Sequence, residues 1–260
     1  RVRYPYAFLK PFWFGDRPEG IATAILQSGS GGLFGGERLG QKVTLAPGGA
    51  AHVTTQAAAI VHARRDKPAA LQQVRLHLAE GSHLEYLPEP MLLFPQSALV
   101  QDIAAVVAPD AVLLLGDGMV RHDPGPGDLA FDHFGSDLEV RLPDGRLLFA
   151  DRTLVDGADF DLTMQGGGRR WRACGWFAAV APDAARHAGL AGGLASALAQ
   201  LAGPQDEGRL QAEAAPLPNG AGHWCRIVAA DGSVLRSALR TFWRHCRVAM
   251  TGHPPPRDRK

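Results

Sequence analysis

The sequence predicts a mainly β protein, a stack of short strands with a minor helical part near the C-terminus. Three observations carry this. Gly (31) and Pro (19) make up about a fifth of the 260 residues, against roughly 12% in an average protein, which favours short strands joined by tight turns. Apolar and polar residues alternate in Val74-Arg75-Leu76-His77-Leu78 and again in His83-Leu84-Glu85-Tyr86-Leu87, the period-two pattern of strands with one buried face. A strand, turn, strand layout recurs near residues 46, 79, 108 and 143 through the turns APGG, AEGS, APDA and LPDG, at intervals of roughly 30 residues. The repetition is one of shape, not of side chains. A β-helix-like stack, a two-layer stack and a conventional sandwich all produce it.

Taken in order, the first informative segment is residues 31–60. The pairs Gly31-Gly32 and Gly35-Gly36 bracket Leu33-Phe34 and predict a turn whose backbone takes positive φ or passes close to a neighbour. Glu37 follows directly, then a short strand, a proline-glycine turn and the polar strand Val53–Gln56, VTTQ. Ala79–Ser82 reads as a turn between two strands, so the chain there makes a hairpin or a sheet corner. Beyond about residue 178 the texture changes. Asp183 is placed to cap a helix with Leu190, Leu194, Leu198 and Leu201 at helical spacing, weakened by Gly189, Gly192 and Gly193. A polar loop over 203–208 leads to strands at Leu210–Ala214 and His223–Ala229. Ser233 is then the expected cap of a last helix carrying Leu235, Leu239, Phe242 and Trp243. The tail His253–Lys260, HPPPRDRK, cannot continue that helix. The expected organisation is a stacked-strand body over 1–177, a helix-strand-strand-helix part over 178–252 packed on it, and a flexible tail over 253–260.

Composition excludes several function classes. A hydrophobic content of 46% supports a substantial core. The net charge of +1, from 27 basic and 26 acidic residues, leaves no basic stripe for nucleic acid. No apolar run reaches the roughly 18 to 20 residues that span a bilayer, and residues 1–15 show no signal-peptide apolar core. Cys174, Cys225 and Cys246 are odd in number and widely spaced, which argues against a disulfide framework and a zinc site and for a reducing, cytoplasmic compartment.

Three acids stand out as candidate functional groups. Glu37 follows the glycine turn, Asp117 lies in LLLGDGMV at an expected strand end, and Asp151 lies in LLFADR beside Arg152. On the plain reading Glu37 and Asp117 are solvated turn residues and Asp151 pairs with Arg152. His77 and His83 would approach across a hairpin and make a two-imidazole metal site conceivable. Alternation with core leucines equally places them, like His52 and His62, on the surface. His245 and Cys246 are adjacent on a helix, about 100° apart, a poor arrangement for chelation. VTTQ contains hydroxyls but no nucleophile elbow or adjacent His/Asp pair, so it reads as structural. Arg240, Trp243, Arg244 and Arg247 combine an aromatic anchor with arginines, the composition of an interface hot spot, and equally that of a core Trp with solvated arginines.

Five segments occur in a telling order: GGLFGGERL, VTTQAAA, LEYLPEPMLLF (Leu84–Phe94), SDLEVRLPDGRLLFADR (Ser136–Arg152) and TFWRHCR (Thr241–Arg247). In this the chain resembles the urease accessory protein D family (UreD, also called UreH) over nearly its whole length. Members usually read GG, two apolar residues and GGD, then VTTQ or a close relative, so Glu37 stands where Asp is usual. Many also carry a base three or four places after the Gln, where Ala59 and Ile60 stand; Arg64-Arg65 are the nearest replacement. The resemblance implies a β-rich stacked fold and a non-catalytic chaperone that binds apo-urease and accessory proteins F and G and helps nickel reach the urease site. It further implies that Glu37, Asp117 and Asp151 border a water-filled passage for transient Ni(II), with no tightly bound cofactor, and that Arg240, Trp243 and Arg247 face accessory protein F. GTP chemistry belongs to the partner, in keeping with the lack here of a GxxxxGK[ST] loop. A competing expectation is a β-helical carbohydrate hydrolase or lyase using Asp117 and Asp151 as a carboxylate pair.

Overall fold

The structure, a computed structural model, describes residues 2–8, 10–13, 20–163, 171–203 and 207–255. The tail is therefore described only as far as residue 255.

Two sheets face each other, and the chain crosses repeatedly from one to the other. The larger contains, in order, β1 (Tyr6–Phe8), β2 (Ala22–Ser28), β4 (Ala50–Thr55), β7 (His83–Tyr86), β10 (Val112–Arg121), β13 (Ala173–Val180), β15 (Gly222–Ala229) and β14 (Leu210–Pro216). The short β5 (Ile60–Val61) and β8 (Met91–Leu93) attach beside β10. The smaller sheet runs β12 (Leu147–Asp156), β11 (His133–Arg141), β9 (Ala98–Val107), β6 (Ala70–Leu78) and β3 (Arg38–Leu45).

The pairs β2–β4, β4–β7 and β7–β10 in one sheet and β3–β6, β6–β9 and β9–β11 in the other are all parallel. Parallel neighbours need a crossover connection, and here each crossover is the strand of the opposite sheet. The result is a β-solenoid-like stack, which settles the choice left open by periodicity. Successive turns stack as well: the Gly48 N–H donates to Glu80 O at 2.8 Å, with φ of 67° at Gly48 and 64° at Gly81. Residues 79–82 therefore form a corner between sheets, so His77 and His83 do not meet across a hairpin. The fourth repeat near 143 differs from the others, because β11 and β12 pair antiparallel and Leu142–Arg146 is a hairpin turn.

After β12 and a short helix α1 (Gly157–Thr163), which the periodicity did not reveal, β13, β15 and β14 extend the large sheet beyond β10 through successive antiparallel pairs. A boundary at 177/178 falls inside β13. The C-terminal strands continue the sheet, and the helices α2 (Ala184–Leu201) and α3 (Gly232–Thr251) pack on it.

Asp183 caps α2 as expected, accepting from the Ala185 and Arg186 N–H groups. The cap of α3 is Asp231, two residues before Ser233, accepting from Ser233 and Val234. Either residue type suits that position, and the longer helix wins. Gly193 weakens α2 in isolation, but a Cβ there would lie 2.9 Å from the His245 carbonyl oxygen. It lets α2 and α3 touch backbone to backbone. One apolar core fills the space between the sheets and a second lies between the large sheet and the two helices.

Candidate functional site

Asp117 lies in the middle of β10, not at a strand end, and its carboxylate points between the sheets in line with Leu113 and Leu115. Its flanking glycines face the other way. A Cβ at Gly118 would come within 2.9 Å of Leu235 on α3, and one at Gly116 within 3.4 Å of Leu239. The GDG pattern is thus a helix seat on one face and a single carboxylate on the other.

Asp117 is 3% exposed. Its Oδ1 accepts the Gly118 N–H at 2.7 Å and its Oδ2 accepts from Gln101 Nε2 at 2.8 Å. Burial pushes its pKa up to about 6, against the lowering effect of these two donors.

Gln101 extends the network. The same Nε2 donates to Gln72 Oε1 at 2.9 Å, and parallel register places Gln72, Gln101 and Ser136 side by side on β6, β9 and β11, with Thr153 next on β12. Gln72, Gln101 and Ser136 are all buried. A polar stripe therefore crosses an otherwise apolar interior. At one end Gln72 lines a cavity of about 200 Å³ shared with Tyr6, Gln41 and the glycine turn at Gly31 and Gly32. There Tyr86 Oη donates to Gln41 Oε1 at 2.5 Å and Gln41 Nε2 donates to Tyr6 Oη at 2.9 Å. At the other end Thr153 Oγ1 donates to Asp151 Oδ2 at 3.1 Å, and Arg226 bonds both Thr153 and Asp151. Arg152 pairs with Asp137 at 2.6 Å, so the expected Asp151–Arg152 pair gives way to one that ties β12 to β15.

Glu37 stands apart from this stripe. Its Oε2 accepts the Phe34 N–H at 3.0 Å and its backbone bonds both Phe34 and Leu71, so it anchors the glycine turn. The turn needs glycine for close approach: a Cβ at Gly32 would lie 2.4 Å from Ile60 O, and one at Gly35 would lie 2.6 Å from Arg64 O. VTTQ is largely structural. Val53 joins the core and Thr55 Oγ1 accepts the Glu89 N–H at 2.9 Å, while Thr55 and Gln56 border the cavity. Arg64 is paired with Asp132 at 2.5 Å and Arg65 is exposed.

A second buried carboxylate went unnoticed in the sequence. Glu85 on β7 points toward α3, where Trp243 Nε1 donates to Oε2 at 2.7 Å and Arg247 Nη1 does so at 3.3 Å. His52 Nδ1 lies 3.2 Å from the same oxygen and His83 Nε2 3.1 Å from Oε1; the His52 ring stacks on Trp243 at 4.4 Å. Burial raises the Glu85 pKa, but the two histidines and the Arg247 charge outweigh it and hold the group at about 2. Trp243 and Arg247 are thus buried against their own sheet, whereas Arg240 is half-buried beside Glu89 and Arg244 is exposed. The four-residue spacing of Trp243 and Arg247 was the available signal, since it puts both on one helix face.

Burial raises the thiols of Cys174 and Cys225 to about 12 and that of Cys246 higher still, so none is a ready thiolate. His245 bonds Gln200 at 2.8 Å, away from the buried Cys246. Among the described residues no group of three or more His, Cys, Asp or Glu side chains is placed to hold a metal ion, and no helix is long and apolar enough to cross a membrane.

The UreD urease accessory protein family model matches residues 1–260. Urease accessory protein UreD 1 of Methylorubrum populi is 34% identical over 263 residues, covering all of this chain and 85% of the relative. The protein of the same description from Pseudomonas syringae pv. tomato is 35% identical over 260 residues, covering all of this chain and 88% of the relative. UreD 2 of a Bradyrhizobium strain is 40% identical over 150 residues, 57% of this chain. A match of this extent shows that the chain belongs to the UreD urease accessory protein family.

Proposed function

We propose that the chain is a non-catalytic maturation chaperone that binds apo-urease, assembles with accessory proteins F and G in the cytoplasm, and conducts Ni(II) along its interior on the way to the urease site. The observation that carries the proposal is the polar stripe from the cavity beneath the glycine turn, through Gln72, Gln101 and Asp117, to Asp151 and Arg226. Burying so many amides and a carboxylate in a core is unfavourable unless they serve a polar guest or each other.

The donor chemistry favours passage over storage. Oxygen donors and water are hard ligands, whereas Ni(II) held firmly in proteins usually has imidazole or thiolate donors. At neutral pH Asp117, with its pKa near 6, is mostly ionised and attracts a dication. The amides and hydroxyls along the stripe would then replace part of the ion's water shell without trapping it. Asp151 would receive the ion only when its contact with Arg226 opens, and Glu37 would contribute by holding the wall of the cavity. Contact with accessory protein F through α3 would rest on Arg240, with Trp243 and Arg247 fixing the seat of that helix.

The carbohydrate-enzyme alternative loses support from the same geometry. Asp117 is sealed in the core and Asp151 is engaged by Arg226, so the two do not present a carboxylate pair to a sugar. The chaperone reading is tested by expressing apo-urease and its accessory set with and without this chain. Urease activity and bound nickel should fall at least tenfold in its absence; equal activation would remove the proposal.

A further inference from the structure

Two histidines outside the stripe are brought together by the packing of α2 on β15. His187 lies in the first turn of α2 and His223 near the start of β15. Their ring centroids are 4.7 Å apart and their planes meet at 42°. The Nδ1 atom of each ring is shut off from solvent and has no hydrogen-bond partner. Buried side-chain polar atoms are nearly always bonded, so two adjacent imidazoles with unused nitrogens call for a ligand.

We propose that His187 and His223 form a two-imidazole binding site for a late first-row divalent cation, with water in the remaining coordination positions. Imidazole suits Ni(II), Cu(II) and Zn(II). With metal–nitrogen distances of about 2.0–2.1 Å, rings at this separation are within the span of two adjacent ligands on one ion. No third His, Cys, Asp or Glu side chain accompanies them among the described residues, which leaves the ion exchangeable. It differs from the stripe in donor type, in face of the sheet and in elements. The choice of Ni(II) as first probe rests on the maturation role proposed above; the site itself rests on the two rings alone.

The test titrates the full chain with NiCl2 in a non-coordinating buffer at pH 7.5 by calorimetry. It compares the unaltered chain with His187→Gln, His223→Gln and the surface control His77→Gln. One equivalent of Ni(II) should bind, weaken at least tenfold in each of the first two variants and persist in the control. Since His223 lies in a sheet strand, far-UV circular dichroism accompanies each variant. A second readout needs no substitution: Ni(II) should broaden the ring resonances of His187 and His223 in the unaltered chain before those of other histidines. Identical isotherms in the unaltered chain and His187→Gln, or broadening confined to other histidines, would overturn the proposal. Because the readout is on the chain alone, equal urease activation with and without the chain would remove the maturation role and leave this result standing.

Discussion

Asp117 destabilises the fold that contains it. Its folded pKa of about 6 exceeds the ordinary aspartate value of 3.8, so between those values the native state binds more protons than the unfolded state. Its contribution is therefore most favourable below about pH 4 and is lost as pH rises through 6, a change of about 3 kcal/mol. Asp117→Asn should raise unfolding free energy at pH 7.5 by about 2 kcal/mol, with the gap closing near pH 4, as measured by urea denaturation at both values. A group retained at such a cost is expected where function needs it. The sequence made Asp117 visible as one acid among leucines, but misplaced it at a strand end because Gly116 and Gly118 read as turn formers. Their real cause, the seat of α3, lies more than 100 positions away. Glu85 was hidden for the same reason: His52, Trp243 and Arg247 meet it only in the folded chain.

Among the elements, α3 packs through an apolar face and is tied by two buried carboxylates, Glu85 through Trp243 and Arg247 and Glu89 through Arg236 and Arg240. Glu85 has its pKa lowered from 4.5 to about 2, so the stability it contributes is full above pH 4.5 and is lost as pH falls toward 2. Replacing it by Gln leaves Arg247 and two histidines facing a neutral amide in a dry site. Breaking a buried pair in this way costs about 3 kcal/mol or more. Glu85→Gln should therefore lower unfolding free energy at pH 7 by about 3 kcal/mol, and amide exchange should accelerate in α3 before it does in β9 and β10. Equal acceleration throughout would show that Glu85 does not specifically hold the helix. Helical spacing made both helices legible and the Asp183 cap marked the start of α2, whereas α3 begins at Asp231 and not at the expected Ser233. The glycines of α2 looked like weaknesses because propensity counts the isolated helix and not the α2–α3 contact that Gly193 allows.

At the scale of the whole molecule, alternation and the roughly 30-residue spacing of turns revealed stacked strands but could not separate a solenoid from a sandwich. Both bury one strand face, and the difference lies in parallel or antiparallel pairing, to which a period of two is blind. The family was legible because five segments occur in one order across the chain, and the match over residues 1–260 bears it out. The stripe was not legible, since Gln72, Gln101 and Ser136 are separated by about one rung each and align only through parallel register, with Thr153 facing Ser136 across the final hairpin. Such an alignment sets polar side chains in adjacent positions across the smaller sheet. The most direct measurement is of nickel per urease active site when the accessory set is expressed with Asp117→Ala, alongside recovery of the complex by affinity capture. The account predicts an intact complex with nickel content and activity reduced at least fivefold. Full nickel loading by the Asp117→Ala chain would contradict conduction along the stripe.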